Sequence, residues 1–230
     1  MRRGPEFQGS LFDDAVAEVT VGELGSTVQR IELGAGARVD LRPGWISGAD
    51  ELFAFLHRTV SWTAEERWMY GRLVAIPRLE CYLDSPADLP HPVLLEAHRL
   101  LDEHYRDDPA APFTSADLVL YRDGRDTVPW HGDPFTTPEP CDSLVALIVL
   151  GPPRPFLLRP RAGGDVLRHL LGHGDLIVMG GTAQTTFEHS VPRTAKAAGP
   201  RIAVQFRSAQ LEDGREWSRR AARSYSAEPS

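Results

Sequence analysis

The sequence predicts a mainly β fold, a double-sheet jelly roll with helices on its N-terminal side, from three observations. Beyond residue 115 the chain reads as short strands between Gly/Pro turns: Leu118–Tyr121, Thr127–His131, Leu144–Leu150, Phe156–Arg159, Asp175–Met179, Thr186–Val191 and Ile202–Phe206. One of these, in SLVALIVL, is apolar on both faces and therefore internal to a sheet. Ahead of residue 110, two stretches carry helical spacing instead, which suits helices packed outside one sheet.

The first helix is ADELFAFLHRTV, residues 49–60, where Leu52, Phe53, Leu56 and Val60 recur at helical spacing. Ser47 precedes it with Asp50 three residues later, the pattern of a capping box. The second is HPVLLEAHRLLDEHY, residues 91–105, with Leu94, Ala97, Leu101 and Tyr105 in one stripe. Residues 1–25 lack periodicity and residues 210–230 are polar, so an N-terminal arm and a C-terminal tail are expected around one domain at 26–209, with its β core at about 115–208.

At 230 residues, 42% hydrophobic and 25% charged, the chain suits one well-buried domain. It has no run long enough for a membrane helix and no signal-peptide core, so a cytoplasmic protein without membrane partners is expected, acting as a monomer. Cys81 and Cys141 are too few for a disulfide framework or a zinc cluster, so a metal would need histidine and carboxylate ligands. A net charge of −7 argues against indiscriminate nucleic-acid binding. A local basic face is expected from PPRPFLLRPRAGGDVLRH, where Arg154, Arg159, Arg161 and Arg168 meet one acid, Asp165; the bland alternative is an Arg-rich solvated edge.

The segment ending in Trp130-His131-Gly132-Asp133 raises the question of a metal. On a strand, His131 and Asp133 share a face and can converge on one ion. The alternative is a turn-end histidine bonded to an aspartate. Gly132 leaves room beside the pair, and His189, after a Gly-rich turn and a strand, is the candidate third ligand. Two histidines and a carboxylate make the facial triad that leaves coordination positions open on non-heme Fe(II). His57, His98 and His104 fall in predicted helices, His91 just before one, and His169 and His173 beside a turn, where ordinary surface or capping bonds are expected.

In GPRIAVQFR, Arg201, Ala203, Gln205 and Arg207 share one strand face and Ile202, Val204 and Phe206 the other. That is a core strand presenting two cations to a cavity, which calls for a carboxylate; pairing with acids of the protein is the alternative.

YRDG at 121–124, W-H-x-D at 130–133, GDLIVMGGTAQTTFEHSVP at 174–192 and GPRIAVQFR at 199–207 together resemble the AlkB family of Fe(II)/2-oxoglutarate-dependent dioxygenases. The likeness spans about residues 75–208, with VAIPRLECYLD and PRPFLLRP also family-like. The resemblance implies a double-stranded β-helix with an N-terminal nucleotide-recognition lid, here about residues 60–80. It implies His131, Asp133 and His189 as iron ligands, with Arg201 on the distal carboxylate of 2-oxoglutarate, Tyr121 supporting it and Arg207 as the second cosubstrate-pocket arginine. It further implies oxidative demethylation of alkylated bases in DNA or RNA, consuming O2 and 2-oxoglutarate and releasing succinate, CO2 and formaldehyde.

The chain departs from the family pattern in three places. Val119 and Ala203 stand where family members usually carry asparagine. Pro134-Phe135-Thr136 replaces the acidic residues that contact the damaged base in repair members. Phe135 either stacks on a base or packs internally. In the lid, SWTAEERWMYGRL offers Trp68 and Tyr70, which either clamp a flipped base or seal a hydrophobic turn; stacking is worth ~1–3 kcal/mol per base. Arg159 and Arg161 are expected to meet substrate phosphates, and single-stranded or unpaired nucleic acid is the expected partner. An oxygenase acting on a small metabolite or protein side chain is the alternative, and a noncatalytic binding module is argued against by the complete triad and paired arginines.

Overall fold

A computed structural model of the chain describes residues 18–69, 72–195 and 198–212, with residues 67–69 entering by their backbone alone. Tyr70, the Trp68 side chain, and most of both expected terminal segments (1–17 and 213–230) therefore lie outside the described residues. In chain order the strands are β1 (Thr20–Val21), β2 (Gln29–Gly34), β3 (Ala37–Arg42), β4 (Ile46–Ser47), β5 (Thr63–Met69), β6 (Arg72–Tyr82), β7 (Phe113–Tyr121), β8 (Val128–His131), β9 (Ser143–Leu150), β10 (Arg154–Pro160), β11 (Leu167–Leu171), β12 (Asp175–Gly181), β13 (Phe187–Val191) and β14 (Arg201–Ser208). The helices are α1 (Ala49–Thr59), α2 (Pro92–Tyr105) and the single turn α3 (Ala183–Thr186).

An eight-stranded sheet, β2-β3-β12-β9-β14-β7-β6-β5, faces a four-stranded sheet, β11-β10-β13-β8, and every pairing is antiparallel. This is the jelly-roll arrangement expected from the strand pattern, with each predicted strand present. β9 is buried along its whole length, and strand alternation splits it between two cores. Leu144, Ala146, Ile148 and Leu150 pack toward α1 and α2, while Val145, Leu147 and Val149 point between the sheets. On β14, Ile202, Val204 and Phe206 join the helix-side core and Ala203 the inter-sheet core.

Both predicted helices form. α2 buries Leu94, Ala97, Leu101 and Tyr105 as its stripe requires, and His91 caps it by accepting from the Val93 amide at 3.2 Å. The expected Ser47 capping box does not form: Ser47 lies in β4, and Gly48, at φ 66°, is the N-cap of α1. A Cβ at residue 48 would meet the Glu18 carbonyl oxygen at 2.9 Å, so both backbone conformation and space require glycine.

Several elements lie outside the sequence expectation. β2 is a largely exposed edge strand, β5 an edge strand whose first residues are mostly exposed, β6 carries Pro77 internally, and β11 contains His169, placing that histidine in a strand and not beside a turn. Within the expected arm, Thr20–Val21 pairs with β4 and Leu24 is buried in the core. At the other end, Leu211 and Glu212 are buried, and Leu211 bridges to Phe135. These two residues, placed in the tail by the sequence, thus pack on the domain.

A buried polar node fastens α2 to the large sheet. Asp40 on β3 accepts from Arg30 Nε and Nη2 at 2.8 Å and from the Tyr105 hydroxyl at 2.8 Å. Burial alone would raise the Asp40 pKa, but these two partners hold it below the usual range. Tyr105→Phe removes one donor from a buried carboxylate and should destabilise the fold by about 1–3 kcal/mol, read as a lower urea midpoint with unchanged slope.

Candidate active site

A cavity of about 530 Å³ opens between the sheets, lined by β6, β7, β9 and β14 on one side and by β8 and β13 on the other. His131, Asp133 and His189 converge on its wall, each offering one ligand atom, all within 4.8 Å of one another. His131 and His189 are direct cross-strand partners on β8 and β13, which sets their rings 4.2 Å apart. Asp133 does not share β8 as strand alternation supposed; the strand ends at His131, and the chain beyond it carries the carboxylate back. Its Oδ1 lies 3.5 Å from His131 Nε2 and 3.9 Å from His189 Nε2.

The surroundings fix these atoms for metal binding. His131 Nδ1 bonds the Pro129 carbonyl at 2.9 Å, so it carries the hydrogen and Nε2 keeps its lone pair toward the site. Burial, with His131 alongside, pushes His189 down to about 3 and keeps its ring neutral. Asp133 would be raised by burial, but the Arg207 charge and the two imidazoles hold it well below the ordinary carboxylate range. Its amide donates to Gln184 Oε1 at 2.8 Å, tying the ligand loop to α3. Two imidazoles, that of His189 held neutral, and an ionised carboxylate fit Fe(II).

Gly132 sits where no side chain fits. A Cβ there would lie 2.6 Å from the Gln184 carbonyl oxygen and 2.6 Å from Arg161 Nη2.

The two arginines of β14 serve different ends. Arg207 spends its charge on the protein: Nε donates to Asp133 Oδ2 at 2.7 Å, Nη1 to Asp117 and Nη2 to Gln205 Oε1 at 2.6 Å. One carboxylate oxygen of Asp133 thus faces Arg207 and the other faces the histidines. Arg201 is also fully buried on the cavity wall, yet no carboxylate of the described residues pairs with it. It lies over the Tyr121 ring, its cross-strand partner, with 5.4 Å to the centroid, and burial pushes its pKa down to about 10. A desolvated cation without an acid is the wall an incoming carboxylate would satisfy. Val119 and Ala203 face each other across β7 and β14, making the stretch between metal and Arg201 apolar.

The expected basic face is reorganised. Arg154 is buried and does not belong to it. Arg159 and Arg161 both pair with Glu188, at 2.6 and 3.2 Å, rather than with Asp165, and Arg159 lies over the Trp130 ring at 4.4 Å; Arg168 is exposed on β11. Phe135 packs against the inter-sheet core. Residues that the sequence did not single out are Asp117, Gln184, Trp130 and Glu188. Of these Asp117 was legible, standing two positions before Val119 on the face that carries Tyr121.

The family model of the 2OG-Fe(II) oxygenase superfamily matches residues 76–215, and the chain belongs to that superfamily, whose members use Fe(II), 2-oxoglutarate and O2. Among curated proteins it is 28% identical to the bovine alpha-ketoglutarate-dependent dioxygenase alkB homolog 3, over 90% of this chain and 75% of that protein. It is also 28% identical to the DNA oxidative demethylase ALKBH2 of Arabidopsis thaliana, over 67% of this chain and 60% of that protein, and to the human alkB homolog 3 over 66% and 51%. The chain thus spans between half and three quarters of these relatives' lengths. A solved prolyl hydroxylase from Trichoplax adhaerens, in complex with a hypoxia inducible factor peptide, shares the fold with a TM-score of 0.55 at 10% identity, covering 83% of this chain and 87% of that one.

Gly132→Ala should push the ligand loop off Gln184 and Arg161 and lower Mn(II) affinity by about tenfold, the scale on which disturbed supporting contacts act, with little change in the circular dichroism spectrum. Titration followed by electron paramagnetic resonance reads this directly.

Proposed function

We propose that this protein oxidatively demethylates alkylated bases in nucleic acid, with His131, Asp133 and His189 holding Fe(II) and Arg201 holding the distal carboxylate of 2-oxoglutarate. The observation carrying this reading is the pairing, within one cavity, of a convergent His/Asp/His set with a buried arginine that forms no ion pair among the described residues. The names of the curated relatives support nucleic acid as the substrate class.

When bound, Fe(II) and 2-oxoglutarate would supply the oxidation by O2 of the methyl carbon, that carbon leaving as formaldehyde while the cosubstrate becomes succinate and CO2. The chain's part is positional. Arg207 fixes the rotation of the Asp133 carboxylate, His131 is held in one tautomer, and Tyr121 supports Arg201. The apolar stretch through Val119 and Ala203 excludes water from the path between them. The domain at 26–209 carries this machinery.

Trp68, on β5, and Tyr70, two residues later in the sequence, are the proposed base clamp. On the outer face of the small sheet, Arg159 and Arg161 share one acid and so keep one net positive charge for a phosphate. Since flipping a base costs a few kcal/mol, a single-stranded or unpaired substrate is preferred.

The test is formaldehyde release from a single-stranded oligonucleotide carrying 1-methyladenine. No detectable binding or release at low salt, with succinate formation stimulated by a peptide or small molecule, would sink the nucleic-acid reading. His189→Ala should lower Fe(II) affinity by more than about tenfold and abolish turnover; wild-type iron content would remove this residue from the site. Reversing charge at Arg159 and Arg161 should reduce the slope of log affinity against log salt by at least about 0.7, one single-strand phosphate contact, without changing uncoupled 2-oxoglutarate turnover.

A further inference from the structure

Arg154 has no role in the site as described so far. It begins β10, is 1% exposed, and is not among the residues lining the cavity. Its hydrogen bonds go only to backbone carbonyls: Asp126 at 2.8 Å, Pro192 at 2.6 Å and Asp123 at 3.4 Å. Its Nε has no acceptor. The nearby acids are engaged elsewhere, Asp126 with Arg122 and Asp123 with Arg125, and among the described residues none forms an ion pair with Arg154. Three carbonyls need donors, not a charge; Asp126 and Asp123 act on the Arg154 charge only from a distance, and a permanent charge buried without a direct ion pair is disfavoured.

The Arg154 guanidinium lies over the Tyr121 ring, 5.3 Å from its centroid, and Arg201 lies over the same ring at 5.4 Å. Two buried arginines that form no ion pair among the described residues therefore share one aromatic ring, away from the histidines. The π-face is attractive to each cation, yet a ring cannot neutralise two charges. Burial lowers the pKa of both guanidiniums, and the charge of Arg154 lowers that of Arg201 further. Arg78, the third guanidinium close to Tyr121, is already paired with Glu80 at 2.6 Å. The unbalanced charge at this end is thus carried by Arg154 and Arg201 together.

We propose that Arg154 is a positioning residue for the cosubstrate, a second cation behind Tyr121 that strengthens the hold on a distal carboxylate bound at Arg201 without touching it. The inference rests on the 2-oxoglutarate reading above. It makes the pocket selective for a dicarboxylate over a 2-oxo acid of the same length with one carboxylate, since only the distal group feels this field. At a separation on the order of 10 Å and an effective dielectric near ~20, one unit charge changes affinity by roughly tenfold.

The experiment is anaerobic equilibrium titration of the Mn(II)-loaded full chain with 2-oxoglutarate and with 2-oxopentanoate, which lacks the distal carboxylate. Arg154→Met and Arg154→Gln should weaken 2-oxoglutarate binding by roughly tenfold and leave 2-oxopentanoate within about twofold, while Arg154→Lys, which keeps the charge, should restore most of the preference. Equal weakening of both ligands in the Gln variant, or no change in either, would overturn the proposal, because a merely structural residue would not distinguish them. If the Met variant fails to fold, the Gln and Lys pair decides, since Gln keeps donors for the carbonyls and Lys keeps the charge. A wild-type protein that binds both acids equally would instead reject the cosubstrate reading, and with it the role of Arg201.

Discussion

The site depends on one ion pair. Asp133 must stay ionised inside the protein to serve as a ligand, and an isolated carboxylate at that depth would take up a proton instead. Arg207 prevents this, and it does so from β14, in the middle of the large sheet, while Asp133 belongs to the loop leaving the small one. The contact therefore joins the two sheets at the point where the chemistry lies. Asp117, on the neighbouring strand β7, shares the guanidinium and fixes its plane. Gln184 takes the Asp133 amide from the other side, so the ligand loop is held at both its backbone and its carboxylate.

Around that pair the cavity is divided by charge. Near the histidines, cations and acids are matched within the protein. Toward Tyr121 they are not: Arg78 pairs with Glu80, but among the described residues neither Arg154 nor Arg201 forms an ion pair. Between lies the apolar band of Val119, Val149 and Ala203. A ligand with a chelating head, a short carbon chain and an anionic tail matches this order of polar, apolar and cationic walls.

Much of this was legible in the sequence because alternation is a strong signal on buried strands. The β14 residues separate into core and cavity faces as their pattern requires, and the histidines meet although Asp133 lies beyond the strand that alternation assigns to it. The omissions have physical causes. β2 is an edge strand exposed on most of its length and β5 an edge strand whose first residues are mostly exposed, so no apolar period marks them, and Pro77 disguises β6. Arg154 in a proline-rich run reads as a surface residue, since nothing local shows that three carbonyls from distant loops close over it. The partnership of Glu188 with Arg159 and Arg161 depends on the β10–β13 register, which no single segment encodes. The divergent fates of Arg201 and Arg207 likewise depend on which neighbours the sheet brings alongside.

The alternating face of β14 also bears on how the chain finds its fold. Because side chains alternate with a period of two, a slip of one residue would drive Arg201, Gln205 and Arg207 among Leu144, Ala146 and Ile148, and would turn Phe206 toward the cavity. Few mispairings would be so heavily penalised. The same charged groups that suit the strand to bind an anion thus reject its wrong partners during assembly, and a substitution that neutralised them would loosen the fidelity of sheet pairing as well as the chemistry of the site.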